Sequence, residues 1–315
     1  MADRQPLRPR QPASPATIGV FALSGGVGTG QLDEGIGRLE AAGHRVIVAP
    51  ETRNAWRYFA GTDAERLAGF HRLLEDPGID LMLAARGGYG ISRILAAIDW
   101  ERVGTSRKVF AGFSDFTAFN CAAFARAGLV TLHAPMLASD LGDGEPDPYM
   151  LHHFAATVWG AEDTETVACA HGYPQGTIRG TLWGGNLSLL AHLAGTPYLP
   201  AIEGGILYVE EIAEDPYAIE RMFLQLQHAG TLPRQAAIVL GDFSRCVPDN
   251  PARYPYSMEE VVESIRAIAP CPVLTGLPFG HVAQKLTLPF GATGYLTLGA
   301  DQYTLAWPGL GAAWE

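Results

Sequence analysis

Between residues 17 and 132 the chain alternates short apolar, β-branched runs with segments whose apolar residues recur at helical spacing. No other feature restricts the fold as much, because each period selects one kind of element. Residues 17–23 read as a buried strand. Leu32, Ile36 and Leu39 mark one face of a helix that stops at Gly43, and residues 46–49 form the next strand. Thr62 and Glu65 make a capping-box signature ahead of Leu67, Phe70, Leu73 and Leu74. Strands are expected at 79–85, 108–113 and 129–132, with helices at 91–98 and at 115–127, the latter closed by Gly128. Such a βαβ succession builds a mostly parallel sheet covered on both faces.

The loops that follow these strands are unusual. Ser24-Gly25-Gly26, Arg86-Gly87-Gly88-Tyr89-Gly90, Ser114 and His133-Ala134-Pro135 all leave strand ends, so they gather at the carboxyl edge of one sheet, where open α/β sheets bind ligands. Ser114 stands between a strand and a helix. There its hydroxyl is either an ordinary helix N-cap or a nucleophile at the positive end of the helix dipole. The glycines of residues 25–30 fit neither phosphate-binding template, which argues against a nucleotide loop. The closely spaced glycines after Arg86 either form a tight βα turn or let backbone N–H groups approach a ligand.

A polar stretch from about 142 to 176 interrupts the pattern. Beyond it come a strand at 206–210, a helix that starts at Pro216 and carries Ile219, Met222 and Leu226 to Gly230, and strands at 236–243, 285–288, 294–298 and 303–307. The fold class is therefore α/β: an N-terminal mostly parallel βαβ sheet domain and a second, α+β, β-rich C-terminal domain. The expected divisions are a disordered arm at 1–16, the first domain at 17–158, a linker at 159–176 and the second domain at 177–315.

Composition narrows the function. A net charge of −11 without clustered Lys and Arg excludes a nucleic-acid surface, and no apolar run is long enough to span a membrane. The four cysteines are widely spaced, so neither a disulfide framework nor a cysteine metal site is expected, and a cytoplasmic protein fits. A catalytic serine needs a base and an orienting carboxylate. Of the nine histidines, His281 follows a loop glycine in Pro278-Phe279-Gly280-His281 and is the candidate base. His192 reads as core, and His152, His153, His171 and His228 as surface residues. Among the acids, Glu210 ends a strand and Glu211 follows it closely, whereas Glu214 and Asp215 suit the start of the Pro216 helix.

These motifs, together with Ala134-Pro135-Met136, Gly180-Thr181-Leu182-Trp183-Gly184-Gly185-Asn186-Leu187, Val209-Glu210-Glu211, Arg221-Met222 and Gly280-His281, resemble the bacterial LD-carboxypeptidase family from about residue 17 to the end. The resemblance implies a serine peptidase with Ser114 as nucleophile, His281 as general base and Glu210 as the orienting acid. It places the oxyanion hole at the backbone N–H groups of Gly88 and Asp115. Arg86, Gly87 and Trp183 are expected to line the substrate pocket, with Arg86 serving either the substrate carboxylate or its own loop. The implied reaction releases terminal D-alanine from a murein peptide in the cytoplasm, with no metal or cofactor and with a homodimer as the suggested assembly. Adenylate-cleaving microcin-immunity peptidases of the same family are the enzymatic alternative, and a two-domain ligand-binding module the non-enzymatic one. The first strand ends here in Ala22-Leu23-Ser24-Gly25 instead of the family's usual Ala-Pro-Ser-Gly, and Glu211 replaces the usual Asp.

Overall fold

The computed structural model describes residues 6–253 and 255–312. The first sheet is built from β1 (Thr17–Phe21), β2 (Arg45–Val48), β3 (Leu81–Ala84), β4 (Val109–Gly112) and β5 (Thr131–His133), all parallel in the order β2-β1-β3-β4-β5. Helices α1 (Thr29–Ala41), α2 (Asp63–Glu75), α3 (Trp100–Ser106) and α4 (Phe116–Ala127) connect the strands. The order reverses between β1 and β3, which opens a crevice at their carboxyl ends. Local chemistry sets the helix ends. Thr62 and Glu65 form the expected capping box at α2, and Gly128, at φ 68°, closes α4 in the left-handed region.

Helix α5 (Pro148–Trp159) leads to β6 (Glu162–Ala168) and β7 (Gly176–Asn186). Then follow α6 (Leu187–Leu193), β8 (Gly205–Ile212), α7 (Pro216–His228), β9 (Gln235–Ser244), α8 (Met258–Ile268) and β10 (Val273–Leu274). Strands β11 (Leu288–Phe290), β12 (Thr293–Leu298) and β13 (Gln302–Pro308) end the described chain. The second sheet has the order β10-β9-β8-β7-β12-β13-β6, parallel from β10 to β7 and antiparallel beyond. β11 does not join it. This strand pairs antiparallel with β5, Leu288 opposite His133, so the C-terminal half completes the first sheet and pins the two halves together. No helix among the described residues is long and apolar enough to cross a membrane.

Three expectations need correction. Residues 1–5 of the arm lie outside the described residues, but the rest of it is not disordered: Leu7 bridges Leu129, its N–H donates to Gly128 O at 2.7 Å, and Arg10 N–H donates to Arg107 O at 2.6 Å. Backbone pairing holds a segment whose composition reads as loose. The stretch 159–176 is not a bare linker, since it contains β6, which pairs with β13 at the sheet edge. An edge strand buries only alternate residues and carries no apolar run to announce it. Residues 91–98 form two 3₁₀ turns, Ile91–Arg93 and Leu95–Ala97, and the α-helix starts only after Asp99, whose carboxylate accepts the Arg102 N–H. The Ile91 N–H is taken by the Asp115 side chain at 3.0 Å, which holds this segment against the neighbouring loop.

Candidate active site

Ser114 sits on the corner between β4 and α4 with φ 62°, a conformation that costs free energy in a residue with a Cβ and that lifts the side chain out of the turn. Its neighbours are small because they must be. A Cβ on Gly87 would lie 2.8 Å from Ser114 Cβ, and one on Gly112 would lie 2.6 Å from the Phe116 ring. The N-cap of α4 is Asp115, so Ser114 is not a capping residue. Its Oγ lies 3.1 Å from His281 Nε2.

His281 comes from the loop after β10, and Glu210 from β8. His281 Nδ1 is 2.7 Å from Glu210 Oε2. The histidine side chain keeps 22% exposure while the carboxylate has none. Burial pushes Glu210 above the usual carboxylate range, and the hydrogen bond and charge of His281 pull it back. The histidine loop is itself held: Asp242 N–H on β9 donates to Phe279 O at 2.8 Å, and a Cβ on Gly280 would meet Asp242 Cβ at 2.7 Å. The neighbouring acid has a different task. Glu211 accepts from Asn186 Nδ2, Ser188 N, Ser188 Oγ and Ile212 N at 2.6–2.9 Å, so it ties down the start of α6. Geometry thus separates Glu210 from Glu211, which spacing alone could not do. Glu214 and Asp215 precede Pro216, and Asp215 accepts the Asp249 N–H.

The glycine-rich loop faces the serine. Gly88 adopts φ 106°, and among the described residues neither its N–H nor that of Asp115 donates to a protein acceptor. The Asp115 carboxyl is fully buried and accepts from Ser24 Oγ at 2.6 Å and from Ile91 N–H at 3.0 Å. It joins the loops after β1 and β3 to the serine corner. Burial raises it above the usual aspartate range, against those two hydrogen bonds. Arg86 is exposed and donates through Nη1 to Gly26 O at 2.7 Å, so one arm of its guanidinium braces the first loop. Gly87 packs on Ser114. Trp183 does not line a pocket: it is 1% exposed and its indole N–H donates to Gln235 Oε1 at 2.8 Å. Its strand, β7, lies inside the second sheet, and an indole there fills the core.

An ion pair that residue order does not announce ties the segment after His281 to the first domain. Lys285 Nζ pairs with Asp140 and lies 4.8 Å from the centre of the Phe113 ring, which packs on the His281 ring at 5.2 Å. Both pair members are nearly buried. The signal in the sequence is a single lysine between Gln284 and Leu286, whose partner Asp140 lies 145 positions away.

A hydroxyl bonded to an imidazole that is bonded to a buried carboxylate is the arrangement by which a serine loses its proton as it attacks. Comparisons with known proteins agree with this chemistry. Residues 18–134 match the model of the LD-carboxypeptidase N-terminal domain, and residues 179–296 that of the C-terminal domain. The probable murein peptide carboxypeptidase of Bacillus subtilis is 36% identical over 278 residues, covering 88% of this chain and 87% of the relative. The crystal structure of muramoyltetrapeptide carboxypeptidase from Oxalobacter formigenes superposes with a TM-score of 0.87 at 37% identity, covering 93% of this chain and 98% of that one. The microcin C7 self-immunity protein of Escherichia coli is 26% identical over 324 residues, covering 92% and 93%. With both domain models matched in order, and relatives similar along most of their length, the chain belongs to the LD-carboxypeptidase family of peptidases.

Proposed function

We propose that this enzyme is a serine LD-carboxypeptidase that removes the terminal D-alanine of murein tetrapeptides in the cytoplasm, during peptidoglycan recycling. The observation that carries the reading is the hydrogen-bonded chain Ser114–His281–Glu210, assembled from both halves of the molecule. In the reaction, His281 Nε2 takes the Ser114 proton as Oγ attacks the carbonyl carbon of the third residue, an L-configured centre of meso-diaminopimelate or lysine. Glu210 holds the imidazole and stabilises the charge it gains. The Gly88 and Asp115 N–H groups face the oxygen that becomes negative, and one such donor typically supplies about 2.7–4 kcal/mol of barrier lowering. His281 then gives the proton to the departing D-alanine amine, and water, activated by the same imidazole, frees the tripeptide from Ser114.

The substrate ends in a carboxylate, and the chain carries a net charge of −11. Local donors must offset that repulsion, and the exposed Arg86 together with the N-terminal end of α4 supplies them. Mass spectrometry of tetrapeptide incubated with the enzyme should show loss of D-alanine. A tetrapeptide amide should be cut poorly. Equal kcat/KM for acid and amide would show that the carboxylate is not read, and would favour the adenylate-cleaving reading carried by the microcin self-immunity relative. A homodimer, implied by the family resemblance, is tested by sedimentation.

A further inference from the structure

Beneath the serine and its partners lies a polar bridge that the mechanism leaves unused. His133, at the end of β5, is fully buried, with Nε2 3.1 Å from Thr117 Oγ1 and Nδ1 3.1 Å from Tyr208 Oη. Thr117 Oγ1 also accepts the Asn186 backbone N–H at 3.0 Å. The bridge therefore runs from α4 of the first sheet's layer through β5 to β7 and β8 of the second sheet.

Each end is tied to a reacting side chain. The Thr117 N–H donates to the Ser114 carbonyl at 2.9 Å. Tyr208 precedes Glu210 by two residues on β8, so the pleat sends both from one face, and their partners across the sheet are Gly184 and Asn186. Phe279, two residues before His281, packs on Phe113, Tyr208 and His133 with ring centres 5.2, 5.0 and 5.6 Å apart. Packing leaves no slack: a Cβ on Gly185, which has φ 118°, would come within 2.5 Å of both His133 Cε1 and Thr117 Oγ1.

Burial pushes His133 down to about 3, which leaves the ring neutral in ordinary buffers. A neutral imidazole donates from one nitrogen and accepts at the other, so it joins two hydroxyls by directional bonds. Apolar contacts could fill the same space, but they do not prescribe an angle. Replacing either end by an apolar group would leave a buried polar atom without its partner.

We propose that Thr117, His133 and Tyr208 are positioning residues, which set the separation of Ser114 and Glu210 across the boundary between the two sheets so that His281 reaches both at once. The proposal rests on the peptidase reading above. His281 meets its partners at 3.1 and 2.7 Å, and those partners belong to different sheets. A small shift of one sheet against the other breaks one of the two contacts.

The test uses Thr117→Val, Thr117→Ser and Tyr208→Phe. Tyr303→Phe serves as the comparison, a buried residue of the second sheet whose hydroxyl donates to Thr275 O at 3.3 Å and makes no hydrogen bond to Thr117, His133 or Tyr208 among the described residues. Two quantities are measured: kcat and KM on the tetrapeptide, and the rate at which a small phosphonofluoridate labels Ser114. Labelling needs no peptide, so it decides the positioning role even where the tetrapeptide proves to be the wrong substrate. Thr117→Val and Tyr208→Phe should lose about tenfold in both kcat and labelling rate while KM stays within about twofold, as expected for reacting groups moved by a fraction of an ångström. Thr117→Ser, which keeps the hydroxyl, should recover most of the loss, and Tyr303→Phe should behave as wild type. The idea is overturned if Thr117→Val and Tyr208→Phe turn over and label like wild type, or if Tyr303→Phe loses as much as they do. Should Tyr208→Phe fail to fold, the Thr117→Val and Thr117→Ser pair decides alone.

Discussion

His281 and His153 each hold a carboxylate with Nδ1, at 2.7 Å from Glu210 and 2.8 Å from Asp163. Their other nitrogens face different groups. Nε2 of His281 meets the Ser114 hydroxyl, whereas Nε2 of His153 lies 3.6 Å from a second carboxylate, Glu165. His281 keeps 22% of its side chain open and His153 only 6%. The hydroxyls of Tyr149 and Thr157 are drawn towards the same acids as His153, so the second cluster is a lock between α5 and β6. An acid–imidazole pair becomes a device for moving protons when its free nitrogen finds a nucleophile beside open solvent. Walled in by acids, the same pair is a structural joint.

The largest effect that could break this contrast is loss of turnover. Ser114→Ala and His281→Ala should each lower kcat by at least about 10⁴-fold on the tetrapeptide, whereas His153→Gln should stay within about twofold. A His153 variant as dead as the Ser114 variant would erase the distinction. Next comes the orienting acid. Glu210→Gln should cost about 10³-fold in kcat, because the amide cannot stabilise the charged imidazole, while Glu214→Gln should cost about twofold or less. Full activity in Glu210→Gln would move the orienting role elsewhere.

Stability probes the other half of the comparison. His153→Ala removes the partner of the buried Asp163 and a neighbour of the half-buried Glu165, and urea unfolding should show a loss of about 1–3 kcal/mol with kcat preserved. No change in the midpoint would mean that the cluster is not a joint. The smallest effect belongs to Asp115, the buried acid next to Ser114. Burial raises it in the folded state, so the native protein retains a proton that the unfolded chain releases, and stability falls as pH climbs from 3.8 towards the raised folded value. Asp115→Asn avoids that loss while still accepting from Ser24 and Ile91. Its Tm should exceed that of wild type by about 2–4 °C at about pH 8, and the gain should shrink near about pH 4. An equal difference at both would show that the aspartate is ionised in the fold or that its burial carries no such cost.

Much was legible in the order of residues because local forces decide it. Periodicity and caps located β1, α1, α2, β4 and α4, and the loops after β1, β3, β4 and β5 meet at one sheet edge because parallel strands place their carboxyl ends together. Ser114, Glu210 and His281 were readable as candidates from strand ends and a loop glycine, and the family motifs assigned their roles. The edge strand β6 and the folded course of the arm stayed hidden, since both are held by partners far along the chain. The Trp183 motif misled for a related reason: an aromatic among glycines looks like a pocket wall until the sheet closes over it.

What the sequence determined by itself is the βαβ succession, the Thr62 box, the left-handed stop at Gly128 and the chemical types brought to the sheet edge, all settled within a few residues by backbone sterics and side-chain hydrogen bonds. Residue spacing leaves open which acid faces His281 and which histidine meets a hydroxyl, roles that only the family motifs suggest, and the packing of the sheets is what brings these groups together and joins His133 to Thr117 and Tyr208. Those choices depend on groups separated by up to 167 positions and brought within about 3 Å by the packing of two sheets, and no local preference encodes such a distance.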